Sequence, residues 1–138
     1  MKELDPSGAR RALTSHSKNL LRFVDYELVE FFGIVSEWDE NFGSNSFTLH
    51  RDGLRLLFTV YLDGDVYTSV YRDGLTEAIF TSRLTGCTHA RVVERGLHRC
   101  LEIGRPGHPT SEVNAAPVWG LRLFIEPHFR VEFIHEVP

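Results

Sequence analysis

The chain has little cysteine, no long apolar run and no surplus of positive charge, and each absence closes off a class of protein. Two cysteines in 138 residues are too few for a stapled secreted scaffold. No stretch approaches the roughly 18 apolar residues of a membrane helix. The densest, Leu54 to Leu62, is interrupted by Arg55 and Thr59. Fifteen Lys and Arg against 19 Asp and Glu leave a net charge of −4. That offers no bulk field to a phosphate backbone and argues against nucleic-acid binding. Met1 to Pro6 form no apolar signal segment, so the expected compartment is the cytoplasm. Gly-x-Ser-x-Gly, His-Glu-x-x-His, Gly-x₄-Gly-Lys and Gly-x-Gly-x-x-Gly are all missing, and no cofactor is implied.

What is present is architectural. Asp52-Gly53, Asp63-Gly64 and Asp73-Gly74 stand about ten residues apart, the spacing of an antiparallel meander. Asp-Gly favours two-residue hairpin turns because both central positions need positive φ. Taken as such turns, they pair Phe47 with Phe58, Phe58 with Ser69, and Tyr67 with Phe80. One face then gathers Phe47, Leu49, Leu54, Leu56, Phe58, Val60, Leu62, Tyr67, Tyr71, Ala78 and Phe80. The opposite face holds Leu57, Thr59, Tyr61, Val66, Thr68, Val70, Leu75 and Ile79, diluted by His50, Arg55, Arg72 and Glu77. That side is too apolar for a purely solvated sheet: either a helix or the sheet's own curl covers it, or it meets a partner.

Further along, Thr88–Val93 and Leu97–Ile103 read as a hairpin across Arg95-Gly96. Val118–Glu126 and Phe129–Val137 read as another across Pro127-His128. Between them, Gly104–Pro117 carries prolines and glycines that forbid a regular element, and connectors of that length are commonly functional. Thr85-Gly86 does not fit a two-residue loop, so a bulge or longer turn is expected there. In the first third, Asp5-Pro6 reads as a helix start. Leu13, Leu20, Val24, Leu28, Phe31 and Val35 recur at helical spacing, and Gly33 suits a helix end. A competing parity makes Tyr26–Trp38 a strand; helix to about residue 32 is favoured. The expected fold is α+β and a single domain over 1–138. One or two helices within 1–36 pack on a strongly twisted, mostly antiparallel meander of about seven strands over 46–137, curling toward a half-barrel, with a long loop at 104–117.

Chemistry is sparse. Cys87, His89, His98 and Cys100 match a zinc set by residue type. A turn at Arg95-Gly96 puts Cys87 four residues out of step with Cys100, which argues against a shared metal or a disulfide. Cys100 with His89 is the one diagonal pair that suits a nucleophile and base. Asp63 with Asp65, and Glu126 near His128, are explained by turn chemistry. Arg10, Arg11, Lys18 and Arg22 fit a solvated helix face.

Two functional expectations follow. In general character, without a motif, the chain is similar to bacterial toxin-neutralising immunity proteins: compact, acidic and motif-poor. That implies a small cytoplasmic binding protein, not an enzyme, for a protein partner of basic character. Tyr61, Val66, Val70 and Ile79 on the mixed face, with Arg105 and His108 from the long connector, are the expected contacts. Homodimerisation is a competing use of the same surface. The alternative is a curled sheet enclosing a small molecule among Tyr67, Tyr71 and Phe80, with an enzyme using a His/Cys site as its extension.

Overall fold

Helical spacing of apolar residues and a closing glycine set the first element. The computed structural model describes residues 24–107 and 116–135. A π-helical turn, Val24–Leu28, leads into α1, Val29–Phe32. Gly33 ends it in the left-handed conformation, its N–H bonding back to the Val29 carbonyl. The helical reading of this segment holds, and the strand reading of Tyr26–Trp38 does not. Asp5-Pro6, Leu13, Leu20 and the cluster of Arg10, Arg11, Lys18 and Arg22 lie outside the described residues.

Among the described residues, nine strands follow in two sheets, neither closed into a barrel. The first contains β1 (Glu37–Asp39), β2 (Ser44–Arg51), β3 (Leu54–Tyr61), β4 (Val66–Arg72) and β5 (Ala78–Leu84), paired in chain order. The second contains β6 (His89–Arg95), β7 (His98–Pro106), β8 (Pro117–Phe124) and β9 (Arg130–His135), again in chain order. All pairings are antiparallel. The expected single sheet of about seven strands is therefore two sheets. The chain changes sheet at the segment where no tight turn fits: Cys87 N–H bonds the Gly64 carbonyl and Thr88 N–H the Gly104 carbonyl. The long connector is also shorter than expected, because Gly104, Arg105 and Pro106 belong to β7.

The two sheets face each other across one core. Phe47, Leu56, Phe58, Val60, Val66 and Val70 from the first meet Ala90, Leu101, Ile103, Leu121 and Leu123 from the second. Phe32 stacks on Phe47 at 4.7 Å and tilts against Phe58 at 5.4 Å, so α1 seals one side of that core. Burying each such ring contributes about 2–3 kcal/mol. Arg51, on the inner face of β2, reaches across to the Ile125 carbonyl. His128 Nδ1 lies 3.0 Å from Asp52 Oδ2, so the β2–β3 and β8–β9 loops are clasped.

Register decides which residues face that core. The Asp52-Gly53 turn pairs Phe47 with Phe58 and Leu49 with Leu56, as its sequence predicts. Asp63-Gly64 does not make a two-residue turn. Residues 62–65 form a wider loop, with Tyr61 N–H at the end of β3 on the Asp65 carbonyl and Asp65 N–H on Asp63 Oδ1. Phe58 therefore opposes Thr68, not Ser69, and every side chain of β4 changes face. At the next turn Val70 opposes Phe80 and Tyr71 opposes Ala78, leaving Ile79 as the bulged residue. Val66 and Val70 consequently point into the core, while Tyr67 and Tyr71 point out.

In the second sheet the first hairpin slips by two residues without changing faces. Its turn is Gly96-Leu97, so Arg95 opposes His98 and Cys100 opposes Val93. The last turn is not the expected two-residue turn at Pro127-His128: it spans residues 125–129, with Phe124 opposite Arg130, and this one-residue shift puts Leu121, Leu123, Val131 and Phe133 on one face. On the outer face, Arg91, Glu102, Arg122 and Glu132 sit directly opposite one another across four strands. Charge alternates along this row. The Glu102 carboxylate, 2% exposed, accepts hydrogen bonds from Arg91 Nε and Arg122 Nε, each at 2.8 Å. Burial opposes its ionisation, but the hydrogen bonds and charges of Arg122 and Arg91 prevail and hold its pKa below the usual carboxylate value. Two residues along the same two strands, Gly104 and Gly120 face each other so closely that a methyl on either would strike the partner strand's backbone.

Candidate protein-binding surface

The outer face of the first sheet is built from the residues that the wider β3–β4 loop turns outward. Tyr61 and Tyr67 meet edge to face at 5.3 Å. The Arg83 guanidinium lies 5.4 Å from the Tyr67 ring and also pairs with Asp65 at 3.2 Å. Arg55 stacks on Tyr71 at 4.4 Å. Between these rings Ser46 and Thr59 share a hydrogen bond of 2.9 Å. Beside Tyr71, an open cleft of about 520 Å³ runs between His50, Arg55, Arg72 and Leu75. Tyrosines held by neighbouring arginines on a stiff sheet lose little side-chain freedom when covered, and Tyr and Arg are enriched where protein interfaces concentrate their energy.

Of the expected contact residues, Tyr61 and Ile79 lie on or at the edge of this face, with Ile79 51% exposed. Val66 and Val70 do not; at 0% and 7% exposure they belong to the core. Arg105 sits elsewhere, stacked on Trp119 at 4.1 Å on β7. His108 lies outside the described residues. Tyr67, Tyr71, Arg55 and Arg83 were missed as a group because the expected parity buried both tyrosines. The expected ligand cavity among Tyr67, Tyr71 and Phe80 is not formed, since Phe80 opposes Val70 on the inner face and the tyrosines face outward.

The Cys/His set disperses. His89 opposes Gly104, four residues along β6 from the Val93 that opposes Cys100, a separation of about 13 Å. His89 is fully buried with its Nδ1 2.7 Å from Thr88 Oγ1. Both cysteines are free and buried. Burial pushes the Cys87 thiol up to about 12, against the pull of Arg105, and the Cys100 thiol up to about 11, with the Glu102 charge adding to the rise. Thiols shifted in that direction are poor nucleophiles and poor metal ligands at neutral pH. Among the described residues no helix is long and apolar enough to cross a membrane.

A second exposed region adjoins the first. Trp38 on β1 and Phe42 in the β1–β2 turn are 53% and 70% exposed, in a segment rich in carboxylates. From Phe23 to Leu49 the chain carries Asp25, Glu27, Glu30, Glu37, Asp39 and Glu40 and no Lys, Arg or His. That charge-unanimous run was readable in the sequence and is the signal for this region.

Among the described residues, the fold is thus two antiparallel sheets around a shared core with one short helix. No family model and no curated protein matches the sequence. Among solved structures, it is similar to a chain of the contact-dependent growth inhibition toxin–immunity protein complex from Klebsiella pneumoniae 342. The TM-score is 0.58 at 14% identity, over 79% of this chain and 90% of that one. At that identity the likeness is one of fold.

Proposed function

We propose that this chain is a small, non-enzymatic, cytoplasmic binding protein of the toxin-immunity type, acting by covering a surface of a protein partner. One observation carries the reading: the outer face of the first sheet presents Tyr61, Tyr67 and Tyr71 on a rigid ladder, two of them already stacked by arginine. Such a face supplies wide contact area at small entropic cost. The fold likeness to a chain of a toxin–immunity complex supports the same reading.

The test is affinity capture from the source organism with wild type, Tyr61→Ala and Tyr67→Ala baits. A specific protein held by wild type should be lost from both variants while their circular dichroism is unchanged. Expressed alone, that protein should arrest growth, and co-expression with this chain should restore it. A captured protein that is harmless, or that both variants retain, refutes the reading.

A further inference from the structure

The second exposed region has the features of a docking surface in its own right. The β1–β2 turn is rigid. Asp39 Oδ1 accepts the N–H groups of Asn41 and Phe42 at 2.9 and 3.3 Å, and the Asp39 carbonyl accepts Gly43 N–H at 2.8 Å. Gly43, at φ +62°, packs so closely on Leu62 that a Cβ there would lie 2.8 Å from Leu62 Cδ1. Its carbonyl also accepts Leu62 N–H at 2.9 Å. The turn is therefore joined to the β3–β4 loop, and Phe42 stays 70% exposed beside a partly exposed Leu62. Single exposed apolar residues are ordinary. Here they are held in a fixed, joined pair of loops, with Trp38 on the strand that feeds them.

The charge around these anchors has one sign. Glu37, Asp39, Glu40 and Asp63 flank them, and among the described residues none of the four has a Lys or Arg within ion-pair distance. Asp65, in the same loop, is already paired with Arg83. A second copy meeting through the same patch would bring these carboxylates together, which like-charge repulsion disfavours.

We propose that this corner, with Phe42 and Trp38 as anchors and Glu37, Glu40 and Asp63 around them, docks a basic surface on a protein partner. It rests on the protein-binding reading above and extends it by fixing the partner's charge and a second contact area. Glu37 and Asp39 oppose Ser46 and Ser44 on β2, so their side of β1 continues the tyrosine face. Trp38, opposite Asn45, lies on the other side of β1, so a partner seated on the tyrosines meets the carboxylates on the same face and reaches Trp38 around the β1 edge of the sheet.

The experiment compares four baits: wild type, Tyr61→Ala, a Trp38→Ala/Phe42→Ala pair and a Glu37→Lys/Glu40→Lys pair. Capture is run at about 0.1 M and about 0.5 M salt, the captured protein is identified, and its affinity for each bait is measured. The expected partner has an isoelectric point above about 9. The aromatic pair should lose at least about 30-fold in affinity, as hot-spot truncation does. The charge-reversed pair should associate about tenfold more slowly at low salt, with little difference at high salt. A neutral or acidic partner, or affinities unchanged by both corner variants, overturns this inference while leaving the Tyr61 result standing. Capture of nothing by any bait refutes both readings. Self-association of wild type that the corner variants abolish assigns the surface to a second copy and also overturns it. Thermal unfolding of each bait confirms folding, since all four changed corner side chains are exposed.

Discussion

Replacing Glu102 by Gln tests whether the charge row across the second sheet is a structural lock. The carboxylate sits between Arg91 and Arg122, 2.8 Å from each Nε, with Arg95 3.9 Å away. Hydrogen bonds to charged groups are worth about 1.5–3 kcal/mol each, and breaking a fully buried pair costs about 3–5 kcal/mol. Arg91 and Arg122 side chains keep 32% and 16% of their exposure, so water takes up part of the loss. Glutamine also retains one acceptor. The net cost is then about 2–3 kcal/mol. At roughly 2.1 cal/mol/K per residue, 138 residues give an unfolding entropy of about 0.29 kcal/mol/K. The melting temperature should fall by about 9 °C at pH 7.

The pH dependence has a defined sign. The folded pKa of Glu102 lies below its ordinary value of 4.5, so its stabilisation is present above about pH 4.5 and is lost as the pH falls toward the folded pKa. The gap between wild type and Glu102→Gln should therefore be constant from pH 7 to about 5 and close below 4.5. Paired thermal melts followed by circular dichroism across this range read it directly. A gap under about 2 °C at pH 7, or one that persists unchanged to pH 3.5, refutes the lock.

Four further outcomes follow from the packing. Gly104→Ala or Gly120→Ala drives a methyl into the facing strand's backbone, so each should cost more than about 4 kcal/mol and yield insoluble or unfolded protein. Gly74→Ala, with nothing within 4 Å but φ at +85°, should cost only about 1–2 kcal/mol in urea unfolding. Among the described residues Thr68 Oγ1 is buried without a hydrogen-bond partner. Thr68→Val should raise stability by about 1 kcal/mol, and a loss measured by the same urea titration counts against the register assigned to β4. Finally, Cys87 and Cys100, with thiols raised to about 12 and about 11 by burial, should resist an aromatic disulfide reagent in the native state and react in step with unfolding. Rapid native labelling contradicts their placement.

How far the fold was legible depended on whether each turn matched its own chemistry. Asp52 itself adopts positive φ, at 57°, beside Gly53 at 75°, and there the expected register holds residue for residue. At Gly64 the glycine is needed for a different reason: a Cβ would lie 2.5 Å from the Cys87 carbonyl oxygen of the chain passing to the second sheet. That long-range contact leaves no local mark. Pattern did not rescue the register, because Val66, Thr68 and Val70 compete with Tyr67, Ser69 and Tyr71 as a core set. A tyrosine has enough apolar surface to pass for a buried residue. The contact surface inherited the error, with two buried valines standing where the tyrosines belong. The acidic run from 23 to 49 needed no register, only a count of charge along the chain.

The strand order carries a kinetic consequence. Both sheets pair only chain neighbours, so each ladder closes over a local loop, and the entropy of each closure is small. The costly encounter is the meeting of two preassembled sheets, joined through the stretch between Leu84 and His89. The rate-limiting barrier to folding should therefore lie in docking the two halves, not in finding strand partners. Substitutions at Arg51 or in the shared core would then speed unfolding, and those at Asp52-Gly53 would slow the first hairpin.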